Sequence, residues 1–128
     1  MEYGYNKKVS KSFVEAVEAT KEALAKDGFG VLTEIDVKAT MKKKLGVDYD
    51  NYVILGACNP SFAHEALQAE KEIGLLLPCN VIVYEDSGSV YVSAIVPSVA
   101  MSIVENSDLV SIASEVEDKL KKVIDSLN

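Results

Sequence analysis

Two cysteines in similar settings are the residues of this sequence best suited to chemistry. Cys58 lies in the segment Gly56-Ala-Cys-Asn-Pro60, and Cys79 lies in Leu76-Leu-Pro-Cys-Asn80. Each is followed by an asparagine, Asn59 or Asn80, and His64, the single histidine, lies between them. A deprotonated cysteine is a nucleophile, a redox group and a ligand for soft metals, so we expect any site to include these two segments.

The setting of Cys58 is the more informative of the two. The apolar run 52–58 predicts a central strand buried on both faces. Asn59 and Pro60 then favour the N-cap and first position of a helix. A thiol beside a helix N-terminus is favoured as thiolate, which would raise the reactivity of Cys58. Inert burial under the helix is the commoner alternative, because free cysteine is among the most buried residue types.

A metal site is a second hypothesis for the same residues. If Cys58 and Cys79 meet, His64 could add a nitrogen to the two sulfur atoms, a ligand set that suits zinc or Cu(I). The intervening helix would carry the chain away from Cys58, so the sequence permits this meeting without requiring it. Neither a CxxC pair nor an HExxH motif accompanies the three residues, and the sequence indicates no particular cofactor.

Two carboxylates complete the candidate residues. Glu34 and Asp36 are two positions apart, which places both on one face of a strand that extends this far. An acid–base pair is one interpretation, but a helix cap at Asp36 and a solvated strand end at Glu34 explain the same spacing. The candidate ligand-binding pocket therefore consists of Glu34, Asp36, Cys58, Asn59, His64, Cys79 and Asn80.

Length and composition bound the class of protein. The 128 residues predict one domain, residues 1–128, and 48% hydrophobic with 26% charged residues is typical of a globular fold. The net charge is −7 and all 13 basic residues are lysine, which argues against nucleic-acid binding. The sequence has no apolar run of about 18 residues, so we expect no membrane span. With no signal peptide recognised, we expect a cytoplasmic location, where thiols stay reduced.

The pattern of elements predicts an α+β fold. Ser12 and Glu15 have the spacing of a capping box before a helix that ends near Gly28, and Asp36 and Ser107 are candidate caps of later helices. The segment Asp86-Ser-Gly-Ser89 predicts a hairpin between two β-rich runs. We expect a mostly antiparallel sheet of about five strands with helices packed on one face. Alternation over residues 29–35 predicts a strand with one buried face, and the helix after Pro60 is predicted to reach Gly74.

Four segments of the chain resemble the domain-of-unknown-function family 302, a group of small prokaryotic proteins. They are Gly28-Phe-Gly-Val-Leu-Thr-Glu-Ile-Asp36, Thr40-Met-Lys-Lys-Lys-Leu-Gly46, Tyr52-Val-Ile-Leu-Gly-Ala-Cys-Asn-Pro60 and Ile73-Gly-Leu-Leu-Leu-Pro-Cys-Asn-Val81, within residues 28–97. The resemblance implies an α+β fold of TATA-binding-protein-like arrangement and a homodimer. It implies no catalytic residue, because the family has no assigned activity.

Three functions fit these observations. The first is a non-enzymatic module that binds a small polar or anionic molecule near the Cys58-Asn59 and Cys79-Asn80 steps. The second is a thiol-dependent redox or sulfur-handling protein, with metal binding through Cys58, Cys79 and His64 as a variant. The third is a structural homodimer whose Cys-Asn steps only pack and cap.

Overall fold

A computed structural model describes residues 2–128, so the first residue of the predicted 1–128 domain lies outside it. The elements are β1 (Gly4–Val9), α1 (Phe13–Lys26), β2 (Gly30–Asp36), α2 (Val37–Leu45), β3 (Tyr52–Cys58), α3 (Pro60–Ala69), β4 (Cys79–Asp86), β5 (Ser89–Ile95), α4 (Pro97–Ala100) and α5 (Asp108–Asp125). Short 3₁₀ segments follow α3 at Lys71–Leu76 and α4 at Met101–Ile103.

The five strands form one sheet in the order β1-β5-β4-β3-β2. Every neighbouring pair is antiparallel, and α1 and α5 pack on the same face. The predicted α+β class, with helices on one side of an antiparallel sheet of about five strands, is therefore confirmed. The hairpin between β4 and β5 is the tight turn that its sequence predicts, with positive φ at Ser87 (52°) and Gly88 (82°).

Local signals fix the ends of the helices. The Ser12 hydroxyl accepts a hydrogen bond from the backbone N–H of Glu15, whose carboxylate accepts one from the N–H of Ser12, so the predicted capping box of α1 is present. Asp36 caps α2 as predicted, 2.9 Å from the N–H of Ala39. Ser107 occupies the predicted N-cap position of α5, but its side chain makes no capping hydrogen bond. The Asn106 side chain, rather than that of Ser107, accepts from the N–H of Asp108.

The core lies between the sheet and the two long helices. Alternate residues of the central strands turn their side chains toward α1 and α5. The largest of these core side chains are almost completely buried. The most deeply buried side chains of the core include those of Leu24, Leu55, Val81, Val83, Val92, Leu120 and Ile124. Burying this apolar surface is the main source of stability, at about 25 cal/mol per Å² removed from water.

We call the side of the sheet that faces away from α1 and α5 the open face. Its strand positions alternate with the core positions and, apart from the buried Gly56, are half-buried or exposed in the central strands. It carries Ile35, Ile54 and Ile82 beside a row of stacked rings, Tyr52, Tyr84 and Tyr91, whose neighbouring centroids are 5.6 and 5.2 Å apart. The prediction that the 52–58 strand is buried on both faces was therefore wrong, because Tyr52, Ile54 and Cys58 are only half-buried.

Strand β2 also differs from its prediction of one buried face. It is an edge strand in which only Val31 is half-buried, while Leu32 and Ile35 are 67% and 47% exposed. Val31 pairs with Ala57 but Thr33 already pairs with Gly56, so Leu32 forms a β-bulge. The extra residue interrupts the predicted alternation and separates Val31 from Thr33 and Ile35.

Helix α3 ends five residues earlier than predicted. It stops at Ala69, Glu70 is extended, and the chain turns through the 3₁₀ segment before it starts β4. Ile73 lies in that segment and is 1% exposed, packed in a small second core with Ala66 and Leu109. The burial of Ile73 explains why the chain leaves the helix before Gly74. As a result, the chain returns quickly from the end of α3 to Cys79.

Candidate functional site

The start of α3 forms the first wall of the candidate site. Strand β3 ends at Cys58, Asn59 is the N-cap residue, and Pro60 occupies the first helical position, as predicted. The Asn59 side chain makes no capping hydrogen bond. Its amide nitrogen lies beside Gly28, where it would be 3.2 Å from an added Cβ. Gly28 has φ of +83°, so both backbone conformation and space favour glycine there.

The register of β3 and β4 places the two cysteines at the same end of the sheet, but strand alternation turns their side chains toward opposite faces. Ala57 lies opposite Cys79, so Cys58 is one residue from the position that faces Cys79. Cys58 is half-buried, Cys79 is buried, and neither forms a disulfide. Both residues line one cavity. Because α3 has only ten residues and the 3₁₀ segment returns the chain, the separation that a longer helix would impose does not occur.

This space, which we call the apolar cavity, has a volume of about 330 Å³. Helix α3 contributes Phe62, Ala63 and Ala66 to its wall, and α5 contributes Ile112 and Val116. Apart from the two thiols and Asn59, the side chains around it are hydrocarbon, aromatic or the thioether of Met101. Its lining therefore offers mainly dispersion contacts and burial of apolar surface.

Two exposed leucines border the cavity. Leu32 is 67% exposed and Leu67 is 40% exposed, yet both belong to its lining. The bulge in β2 accounts for Leu32, because the extra residue turns this side chain away from the alternation of the strand. An apolar side chain that stays in water beside an apolar space is suited to contact a ligand that enters there.

The environment of Cys79 favours its neutral form. Burial, with a smaller contribution from the nearby Cys58, raises the pKa of its thiol to about 11. At neutral pH Cys79 is therefore a thiol rather than a thiolate. This electrostatic effect of Cys58 on Cys79 agrees with their adjacent positions in the register.

The predicted carboxylates have structural partners away from the cavity. The Glu34 carboxylate lies 2.6 Å from the ammonium nitrogen of Lys21 on α1, and this partner raises the pKa of the lysine. Asp36 holds the first turn of α2. Neither residue lines the apolar cavity. Glu34 therefore belongs to a surface ion pair and Asp36 caps a helix. These are structural roles rather than those of an acid–base pair.

His64 and Asn80 also lie outside the apolar cavity. His64 is exposed on α3, and Asn80 is exposed on the second position of β4. Asn80 borders a separate cavity of about 270 Å³, which shares Leu77, Pro78, Cys79 and Met101 with the first. Within residues 2–128, no three His, Cys, Asp or Glu side chains are grouped to hold a metal ion. The predicted three-ligand set of Cys58, Cys79 and His64 is therefore not assembled.

The structure thus brings together three of the seven predicted site residues, Cys58, Asn59 and Cys79. Sequence reasoning missed the aliphatic and aromatic lining as a site. Phe62, Ala63 and Leu67 follow the inward stripe of α3, and the same spacing describes a filled core and the wall of a cavity. The bulge at Leu32 could not be predicted either, because no local sequence signal marks it.

The antiparallel fold and its cavity define a small α+β domain with one apolar space beside two thiols. The chain belongs to the family described as "Domain of unknown function DUF302", whose model matches residues 5–127. It is similar to a solved structure described as an uncharacterized conserved protein DUF302 from Bacillus stearothermophilus. That protein shares 29% sequence identity, 100% coverage of both chains and a TM-score of 0.94. No curated protein matches the chain. None of the helices in residues 2–128 has the length and apolar character needed to cross a membrane.

Proposed function

We propose that this chain is a non-enzymatic binding module for a small apolar molecule, which it holds in the apolar cavity. The observation that carries the proposal is the cavity itself, about 330 Å³ in volume and lined almost entirely by carbon and sulfur. Pockets for small molecules generally measure about 300–1,000 Å³ and combine apolar walls with a few polar groups. This cavity lies at the lower end of that range.

The lining favours an apolar ligand over the polar or anionic one that the Cys-Asn steps suggested. Asn59 is the one amide side chain in the lining, and its lack of a capping bond leaves it available to orient a ligand carbonyl or hydroxyl. Binding is favoured over turnover because the lining contributes dispersion contacts and a largely neutral thiol at Cys79 rather than a carboxylate or imidazole.

Titration with the apolar fluorophore N-phenyl-1-naphthylamine tests the proposal. We expect saturable fluorescence enhancement at one probe per chain. Ala63→Phe places a ring in the cavity and should weaken binding by at least about tenfold, equivalent to about 1.4 kcal/mol. Ala39→Phe is the matched control, since Ala39 is exposed on α2. Equal loss in both variants, or no saturable binding by the native chain, would contradict the proposal.

Mass spectrometry under non-denaturing conditions provides an independent measurement. A small apolar molecule that co-purifies with the native chain should be released on denaturation. It should be depleted in Ala63→Phe and retained in Ala39→Phe. A co-purifying molecule retained equally by both variants would place its site elsewhere on the protein.

The open face favours a second function, a structural homodimer. Among its strand residues in the part of the chain that is described, Lys8 and Asp86 are the charged ones, so this face is formally neutral in a chain of net charge −7. A second copy can therefore approach here without the like-charge repulsion that most of the surface presents. The isoleucines and the stacked tyrosine row supply self-complementary apolar surface, as a two-fold interface requires.

The oligomeric state of one variant tests this surface. Light scattering coupled to size-exclusion chromatography should give twice the chain mass for the native protein. Ile82→Lys should give the mass of one chain, because the charge would be buried between two open faces. Ile103→Lys, at a position 76% exposed outside the sheet, is the control and should remain dimeric. A native protein with the mass of one chain would contradict the proposed homodimer.

A further inference from the structure

A second cavity, of about 410 Å³, shares part of its wall with the apolar cavity, and we call it the outer cavity. We propose that the two cavities together hold one linear long-chain alcohol, with its alkyl chain in the apolar cavity and its hydroxyl group in the outer cavity. This inference rests on the proposed function, because it names the class of ligand for the same site.

One helix forms a wall of both cavities. Leu109 and Val110 of α5 line the outer cavity, Val116 lines the apolar cavity, and Ala113 between them lines both. At 1.5 Å per residue, Val110 and Val116 are about 9 Å apart along the helix axis. The two spaces therefore lie next to each other along α5, within the length of one extended alkyl chain.

Met101 is the larger side chain at the junction of the cavities. It follows α4 directly, is half-buried and lines both spaces. A methionine side chain is unbranched and has three rotatable bonds, so it can change rotamer without a shift of the backbone. Ala113, the other residue that both cavities share, has only a methyl group. An alkyl chain can therefore pass between one adaptable side chain and one small one.

The polar groups that suit a hydroxyl lie at the outer cavity. Ser102, Glu105 and Ser107 are exposed there, and the Ser107 side chain makes no capping hydrogen bond. A hydroxyl both donates and accepts, so an alcohol can donate to the Glu105 carboxylate and accept from the Ser107 hydroxyl. Apart from its two thiols, the apolar cavity has only the Asn59 amide among its polar side chains, so its lining suits the alkyl chain.

The charges around the cavities favour an alcohol over a fatty acid. All 13 basic residues of the chain are lysine, and within residues 2–128 none of them lines either cavity. The carboxylate of a fatty acid would therefore lose water without gaining a positive partner, and it would face Glu105. An uncharged hydroxyl avoids both costs.

Displacement of N-phenyl-1-naphthylamine by linear alcohols tests the proposal. From 1-hexanol to 1-tetradecanol, we expect the native protein to bind about fourfold more tightly for each added methylene group. Tetradecanoate at pH 8 should bind at least about tenfold more weakly than 1-tetradecanol. Equal binding of these two compounds would overturn the assignment of the ligand as an alcohol.

Val110→Trp tests the outer cavity alone. Val110 is 68% exposed and does not line the apolar cavity, so a larger ring here covers the outer cavity and leaves the core unchanged. The gain per methylene should stop at a shorter alcohol than in the native protein, and 1-tetradecanol should bind at least about tenfold more weakly. Val14→Trp, 70% exposed on α1, lines neither cavity and should bind the whole series as the native protein does.

Met101→Trp tests the junction with a bulky, stiffer side chain. It should also stop the gain per methylene at a shorter alcohol. Ile103→Trp is the control from the same segment, since Ile103 is 76% exposed and lines neither cavity. Native binding of 1-tetradecanol by both Val110→Trp and Met101→Trp would overturn the two-cavity site.

Binding of the probe itself separates this inference from the proposed function. N-phenyl-1-naphthylamine needs only the apolar cavity, so Val110→Trp should bind it as the native protein does. Saturable probe binding, with an alcohol series that levels off at the same chain length in the native protein and in Val110→Trp, would overturn the inference while the proposed function holds. A native protein without saturable probe binding would contradict the proposed function itself.

Discussion

Cys58 lies one residue from the position that faces Cys79 across strands β3 and β4. This one-residue step turns the two side chains toward opposite faces of the sheet, and Cys58 is half-buried while Cys79 is buried. Both residues border the apolar cavity, but they differ in exposure and in the face of the sheet that they occupy. Their chemical reactivities should differ as a result.

Cys79 should resist alkylation at neutral pH. Its pKa is raised to about 11, mainly by burial, and only the thiolate attacks iodoacetamide. In Cys58→Ser, where Cys79 is the remaining thiol, we expect modification at pH 8 roughly a hundredfold slower than for an unfolded thiol of pKa about 8.5–9. The rate should rise about tenfold per pH unit. Mass spectrometry of quenched samples measures it, and a rate equal to that in denaturant would show that the thiol is exposed.

The same shift predicts a loss of stability at alkaline pH. The folded state holds the Cys79 proton more tightly than the unfolded state, so the contribution is complete below the unfolded pKa near 9 and falls as pH rises toward 11. We expect the native protein to lose about 2–3 kcal/mol of unfolding free energy over this window beyond the loss in Cys79→Ala. Urea melts of both proteins between pH 8 and 11 measure the difference. The same pH dependence of the unfolding free energy in both proteins would contradict the raised pKa of Cys79.

Gly56→Ala should destabilise the fold. A Cβ at this position would collide with the Thr33 side chain and lie 2.8 Å from Cγ of the Pro78 ring. We expect a cost of about 1–3 kcal/mol in the free energy of unfolding, typical of an overpacked site. Gly74→Ala is the matched control, because an added Cβ there meets nothing within 4 Å. Adding Thr33→Ala to Gly56→Ala should recover part of the loss.

Asp36→Ala should separate stability from binding. Loss of the α2 cap should cost about 0.5–2 kcal/mol, since the N–H of Ala39 loses its acceptor. Binding of N-phenyl-1-naphthylamine should stay within about twofold of the native value, because Asp36 does not line the apolar cavity. Asp50→Ala, exposed outside any helix, is the control for the lost charge. A large loss of probe binding in Asp36→Ala would show that this carboxylate contributes to the binding site.

Local signals account for the part of the fold that the sequence predicts correctly. The Ser12–Glu15 capping box and the Ser87–Gly88 turn each depend on a few consecutive residues, so their patterns can be recognised without the rest of the chain. The end of α3 at Ala69 depends on the burial of Ile73 against Leu109, a contact with a distant helix. A local sequence pattern cannot predict that contact.

The site was predicted in part for the same reason. Cys58 and Asn59 follow from a strand-to-helix turn that the sequence specifies, but Cys79 joins them through the β3–β4 register. Leu32 reaches the cavity through a bulge against Ala57. The roles of Glu34 and Asp36 also depend on where α1 and α2 lie, because Lys21 and the first turn of α2 take up their carboxylates.

The strand order has a consequence for how the chain folds during synthesis. Strand β1 pairs only with β5, from Gly4 opposite Ile95 to Val9 opposite Val90. During synthesis β1 therefore has no hydrogen-bonding partner until β5 has been made. The β2-β3-β4 portion of the sheet can form earlier, because its pairs are sequential. Closure of β1 onto β5 is thus a late, long-range step, of the kind that slows folding of antiparallel sheets.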